Sequence, residues 1–298
     1  MVRQYKIHTN LDGTDDKIWD VTNGKVRFYQ PSNLGLQSTN NIWQSNGIGV
    51  MGTRSINQPQ IEFKLETFGE SLEENYQLMK DFVNDILSKK FVTLEYQTEI
   101  FQVYADLALA DVTKTEGYGK NGTFSEKITF DIITKWYTYE NLTFDMIKNG
   151  KVIAGKSKIY GGTAPGSYKY VKGVSYTYYG ETNIERLGRW DIKDEIFSFT
   201  GILYPQLPKT PAGVRFLDDI GNEYTAIVFK TEQLLNYILI NTDVNDEIYQ
   251  GWNGTTSLNL FPVMDFERYR TRIIEHGQME LINLTKAEFK IKRKADFV

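Results

Sequence analysis

Apolar and polar residues alternate with a period of two through most of this chain, which predicts half-buried β-strands. The run IEFKLETF, residues 61–68, is the cleanest case. FVTLEY (91–96) and IFQVYADLA (100–108) flank a short polar turn and predict a hairpin. FSEKITFDIITKWYTYE (124–140) sets Phe124, Ile128, Phe130 and Ile132 on one face. A different period appears in ESLEENYQLMKDFVNDILSKK (70–90). There Leu72, Tyr76, Met79, Val83 and Ile86 recur at spacings of three and four, which predicts one long amphipathic helix over 71–89. Ser71 and Glu74 form a capping box. Acids fill the first turn and Lys89 and Lys90 the last, as the helix dipole favours. Such a helix covers one face of a sheet.

A boundary is expected near Trp136. Before it, residues 1–135 read as a sheet or sandwich with one covering helix. After it, residues 136–298 read as strands without a convincing helix: IFSFTGIL (196–203), VRFLD (214–218), EYTAIVF (223–229), YILINTD (237–243) and MELINL (279–284). Short strands broken at regular intervals by turns such as DDIGNE and QGWNGTT predict a β-sandwich. The fold class is therefore mainly β, in two domains, as a length of 298 residues also suggests.

Composition sharpens this picture. With 41% hydrophobic residues the chain can bury real cores, and 19 Tyr and 17 Phe favour strands. A net charge of -4 does not point to nucleic acid or an anionic membrane. The longest strongly apolar run, LLNYILI (234–240), is far too short to span a bilayer. No signal peptide is read at MVRQYKIHTN, so the four N-x-[ST] sequons, at Asn121, Asn141, Asn253 and Asn283, carry no information. The absence of cysteine excludes disulfides, thiolate nucleophiles and Cys-type metal sites, and fits a reducing cytoplasm or a protein that never needs disulfides. His8 and His276 stand far apart with no second ligand at metal spacing, and read as surface or packed residues.

Gly150, Gly155, Lys156 and Ser157 spell the phosphate-loop pattern G-x-x-x-x-G-K-S. That loop works only when a helix begins at its Lys-Ser, and Gly161, Gly162, Pro165 and Gly166 forbid one here. NTDVNDEIYQG (241–251) alternates oxygen ligands like a calcium loop but lacks the sixth-position glycine, and reads as a turn. The acid pairs Asp194–Glu195 and Asp218–Asp219 read as solvated turn residues. No cofactor, metal or catalytic residue is expected. Between residues 160 and 183 lie Tyr160, Tyr168, Tyr170, Tyr176, Tyr178 and Tyr179, punctuated by glycines. Tyrosines so placed can form a recognition surface or pack on a host sandwich; composition leaves both open.

The order of parts resembles a known family, the distal tail (Dit) proteins of long-tailed phages, most closely those of lactococcal siphophages. The resemblance spans essentially the whole chain. It rests on the N-terminal strand block, on ESLEENYQLMKDFVNDIL followed at once by FVTLEYQTEIFQVYADL, and on ITFDIITKWYTYENLTF as the passage between domains. The second half adds YILINTDVNDEIYQGWNGTTSLNLFPV. The resemblance implies a non-enzymatic hub of the tail tip or baseplate, located at the distal end of the virion tail and made in the host bacterial cytoplasm. Its N-terminal domain would form a ring, usually of six copies, around the channel through which genome DNA passes. Its C-terminal domain would be a galectin-like sandwich. An inserted arm and hand, assigned to about residues 147–185, would grip receptor-binding proteins through the six tyrosines. Further partners would be the tail-tip protein and the major tail protein, with no membrane insertion. In one respect the sequence departs from the family. Many members carry a glycine- and arginine-rich turn where VMGTRSINQPQIEF has only Gly52 and Arg54. The rival reading is a carbohydrate-binding sandwich with Trp190 or Trp252 stacking on a sugar ring.

Overall fold

A computed structural model describes residues 3–13, 15–35, 37–57, 60–114, 122–144, 147–148, 151–152 and 189–295. The chain divides into two compact units, Met1–Thr138 with Ala295–Val298, and Tyr139–Lys294.

The first unit runs β1 (Gln4–His8), β2 (Ile18–Asp20), β3 (Val26–Ser32), β4 (Gln37–Ser45), β5 (Ile48–Asn57), β6 (Ile61–Thr67), α1 (Leu72–Leu87), β7 (Val92–Gln97), β8 (Gln102–Thr113) and β9 (Ser125–Ile132). Seven strands form an antiparallel sheet in the order β2–β1–β7–β8–β9–β6–β3. Its two ends approach one another, for Phe28 N–H donates to the Val21 carbonyl at 2.7 Å. The sheet thereby curls on itself and leaves few open edges. The alternation read in IEFKLET is realised: Ile61, Phe63, Leu65 and Thr67 point inward. Phe28 stacks on Phe63 at 4.6 Å, and the helix drives Phe82 edge-on into Phe28 and Trp19.

The Ser71 cap forms as predicted, while the return bond of the capping box falls one residue earlier. Ser71 Oγ accepts from Glu74 N–H at 3.2 Å, and Glu74 Oε2 accepts from Glu70 N–H at 2.7 Å. The predicted apolar stripe needs correction. Asn75, Phe82 and Ile86 are buried and Leu78, Met79 and Val83 half-buried, whereas Leu72 and Tyr76 are 52% and 60% exposed. The cause is Asn75. Its side chain accepts from Gly69 N–H at 2.6 Å and donates to the Ser71 carbonyl at 3.0 Å, so the entering loop is tied beneath the first turn. The core-facing stripe therefore starts from Asn75. Lys89 and Lys90 lie beyond the Ser88 cap, and Lys89 pairs with Asp15 at 2.9 Å instead of serving the last turn.

β10 (Tyr137–Phe144) leads into the second unit, followed by β11 (Ile147–Lys148), β12 (Lys151–Val152), β13 (Arg189–Ile192), β14 (Ile196–Pro205), β15 (Ala212–Leu217), β16 (Glu223–Phe229), β17 (Tyr237–Asn241), β18 (Ile248–Trp252), β19 (Ser257–Asn259), β20 (Gly277–Ile282) and β21 (Leu284–Lys294). One sheet has the order β19–β18–β17–β14–β21–β10 and the other β13–β20–β15–β16. They share one core, with Phe199, Ile240 and Phe289 from the first meeting Val214, Phe216 and Leu281 from the second. Gly201 makes room for the Phe289 ring on the neighbouring strand, since a Cβ there would lie 2.9 Å from it. The outer edge of β16 is covered by the following segment. Asp265 N–H donates to the Val228 carbonyl at 2.8 Å, and Ala226 N–H to the Arg268 carbonyl at 2.9 Å. The chain is thus mainly β, in two units, with one α-helix among the described residues.

Candidate interaction surface

Among the described residues, β4 and β5 pair with each other and with no other strand. Their hairpin turns at Asn46 and Gly47, both at positive φ (51° and 77°). That is the geometry an Asn-Gly dipeptide favours in a two-residue hairpin. The register sets Trp43 opposite Val50 and Ser45 opposite Ile48 on one face, and Ile42 opposite Met51 on the other. Every residue from Gln37 to Ser55 is exposed. Trp43 is 68% and Ile48 70% exposed, values far from those of core side chains. One charge, Arg54, occurs between Gln37 and Asn57. Its guanidinium donates to Asn40 Oδ1 at 2.9 Å, with no carboxylate paired to it among the described residues. An isolated two-stranded hairpin is marginal in water, and a nearly uncharged one with apolar side chains on both faces needs a partner to cover them.

Sequence reasoning passed over this element. Ser45-Asn46-Gly47-Ile48 was its signal, and Gly52 and Arg54, taken with a turn in the family comparison, lie within β5. The six tyrosines named above, Tyr160, Tyr168, Tyr170, Tyr176, Tyr178 and Tyr179, lie outside the described residues. So do Gly150, Gly155, Lys156 and Ser157 of the phosphate-loop pattern.

The remaining candidates serve structure. His8 is buried, with Nδ1 2.6 Å from Asp16 Oδ2 and Nε2 2.8 Å from Glu95 Oε2. Lys6 and Gln102 reach the other Glu95 oxygen, each at 3.0 Å. Burial acts to raise the Glu95 carboxyl, but hydrogen bonds with His8 and Lys6 outweigh it and hold it below the usual glutamate value. Asp218 Oδ1 accepts from Ile220 and Asn222 N–H groups and closes a turn. Asp194 pairs with Arg293 at 3.1 Å. In the calcium-like stretch, Asp243 pairs with the buried Lys292 ammonium at 2.9 Å, so a side-chain cation already serves that carboxylate. No group of three or more His, Asp or Glu able to hold a metal ion occurs among the described residues. Trp190 packs against the sandwich core, and Trp252 is half-buried in β18.

Two family models cover the chain almost end to end: the distal tail protein N-terminal domain over residues 4–133 and the Dit C-terminal domain over residues 135–298. The chain belongs to the distal tail protein family. The distal tail proteins of Lactococcus phages p2 and SK1 are each 92% identical to it over 298 residues, the full length of both chains. A chain in the structure of the phage p2 baseplate in its activated conformation with Sr matches it with a TM-score of 0.79, at 92% identity and full coverage of both chains. The corresponding structure with Ca gives the same values. SPP1 Dit, described as a paradigm of hub adsorption apparatus in phages infecting Gram-positive bacteria, shares the fold alone. Its TM-score is 0.54 at 10% identity, covering 98% of this chain and 99% of that one. These relatives do not favour the carbohydrate-binding alternative.

Proposed function

We propose that this distal tail protein is a structural hub of the phage tail tip. Copies join through the N-terminal domain, residues 1–135, into a closed ring, with six as the expected number. In the virion, the ring sits at the distal end of the tail, within the baseplate. There it links the tail tube, built of major tail protein, to the tail-tip protein, and genome DNA passes through its channel. The C-terminal domain, residues 136–298, is a galectin-like sandwich whose arm, about residues 147–185, holds receptor-binding proteins for adsorption. The protein is not an enzyme in this reading; its work is assembly.

The observation that carries this reading is the hairpin β4–β5. It extends from a domain whose own sheet curls on itself, and it exposes apolar residues on both faces. An arm of this kind gains stability by burial against another chain. The full-length relatives in a baseplate support the choice of setting. Negative-stain electron microscopy of the purified full-length chain tests it. Closed rings are expected, and monodisperse single copies at high protein concentration would overturn it.

A further inference from the structure

An asparagine followed by glycine is chemically labile in water. The glycine nitrogen, with no Cβ beside it, can reach the asparagine side-chain carbon and displace its ammonia. Five Asn-Gly pairs occur, at Asn23, Asn46, Asn121, Asn149 and Asn253, of which Asn121 and Asn149 lie outside the described residues. Among the other three, the fold decides which reacts. Asn23 is held: its backbone N–H donates to Asp20 Oδ1 at 2.9 Å and its side-chain amide to Asp20 Oδ2 at 3.4 Å. The attacking atom, the Gly24 nitrogen, already donates its proton to the Asp20 carbonyl at 2.9 Å. Asn253 is held too. Its Oδ1 accepts from the N–H groups of Thr255 and Thr256, at 3.0 and 2.9 Å, and from the Thr255 hydroxyl at 2.9 Å. Ring closure onto Gly254 must pull that oxygen away from its donors.

Asn46 differs in each respect. It is exposed, and neither its side chain nor the Gly47 N–H has a hydrogen-bond partner among the described residues. A Cβ built on Gly47 would meet nothing within 4 Å, so the nitrogen is open to water and base. Among the described residues β4 and β5 pair only with each other, and such a hairpin opens readily, which gives the turn the freedom that ring closure needs. We propose that Asn46-Gly47 is a self-modification site, at which the free chain exchanges ammonia for water. The Gly47 nitrogen attacks Asn46 Cγ, a C–N bond forms, and the side-chain amide leaves as ammonia, taking the Gly47 proton with it. Water then opens the five-membered imide at one of its two carbonyls, and nothing is oxidised or reduced. Opening at the side-chain carbonyl gives aspartate. That product keeps the turn, since Asp-Gly suits it as Asn-Gly does, and adds the first negative charge between Gln37 and Asn57. Opening at the main-chain carbonyl gives isoaspartate, whose backbone is one methylene longer. A two-residue turn has no place for the extra atom, so the pairing of Ser45 with Ile48 is lost from the tip inward. The reactants are one chain and water, independent of any ring.

The test follows the full-length wild-type protein, kept dilute and warm at mildly alkaline pH, by peptide mass mapping over days. Asn46→Asp serves as the standard for the aspartate product. Conversion at Asn46 should run roughly tenfold faster than at Asn23 or Asn253, the factor expected where hydrogen bonds need not be broken first. In guanidinium chloride, which releases the held pairs, the three sites should convert at similar rates. Equal rates in the folded protein, or a faster Asn23 or Asn253, would overturn the proposal. The same lead for Asn46 in the unfolded chain would overturn it too, by assigning the difference to sequence alone. Hydrogen exchange checks the product. The isoaspartate chain should lose amide protection between Ile42 and Met51, while Asn46→Asp keeps it. Equal protection in the two would contradict the change of register.

Discussion

His8 sits at the end of β1 against two carboxylates, one of them 87 residues away in sequence on β7. From the sequence it reads as surface or packed, and the structure shows it packed, buried against both carboxylates. Asp16 and Glu95 reach it only once the loop after β1 folds back and β7 pairs alongside. His8→Ala leaves both carboxylates short of a partner in a buried setting, which costs about 2–4 kcal/mol. Urea unfolding should report a correspondingly lower midpoint for the variant. The depressed Glu95 carboxyl sets a pH dependence with a definite sign. A group with a lowered folded-state value contributes stability above its unfolded value and loses it as pH falls through the folded one. Urea midpoints should therefore fall as pH drops below about 4.5, and Glu95→Gln should flatten that acid limb. An acid limb of equal slope in the variant would assign the loss to other carboxylates.

At the scale of elements, legibility followed local pattern. β6 and the β7–β8 hairpin were readable because one face of each is apolar and the turn residues mark the ends. β21 was passed over beyond its first residue. Its Ala287, Phe289 and Ile291 alternate with Glu288, Lys290 and Lys292, and the charges mask a strand that lies between β14 and β10. The helix was found but its stripe was rotated, since only the tertiary structure shows that Asn75 takes an inward position. The correction is measurable. Phe82→Ala should cost about 3–5 kcal/mol through the cavity it leaves, while Tyr76→Ala should change the stability of the isolated subunit by no more than about 0.5 kcal/mol. Equal losses would restore the original stripe. The hairpin β4–β5 was legible in principle from Asn46-Gly47, but its exposure was not. A strand's partner is invisible in its own sequence when both of its faces carry apolar residues.

For the whole molecule, the order of strands, helix and hairpin sufficed to place the chain in its family, whereas assembly depends on surfaces that sequence does not rank. The arm proposed for about residues 147–185 is tested at this scale. If residues 150–182 are replaced by a short Gly-Ser linker, the protein should still form its ring but fail to capture receptor-binding protein in a pull-down. Aggregation of the shortened protein would return the tyrosines to the sandwich core. The central claim is that copies of this chain assemble through the β4–β5 hairpin. The most direct measurement is the light-scattering mass of the full-length protein beside a variant in which residues 40–54 are replaced by a tight Gly-Ser turn. The wild type should have the mass of a closed oligomer, and the shortened protein, with unchanged circular dichroism from its sheets, the mass of one chain. Identical masses for the two would contradict the claim.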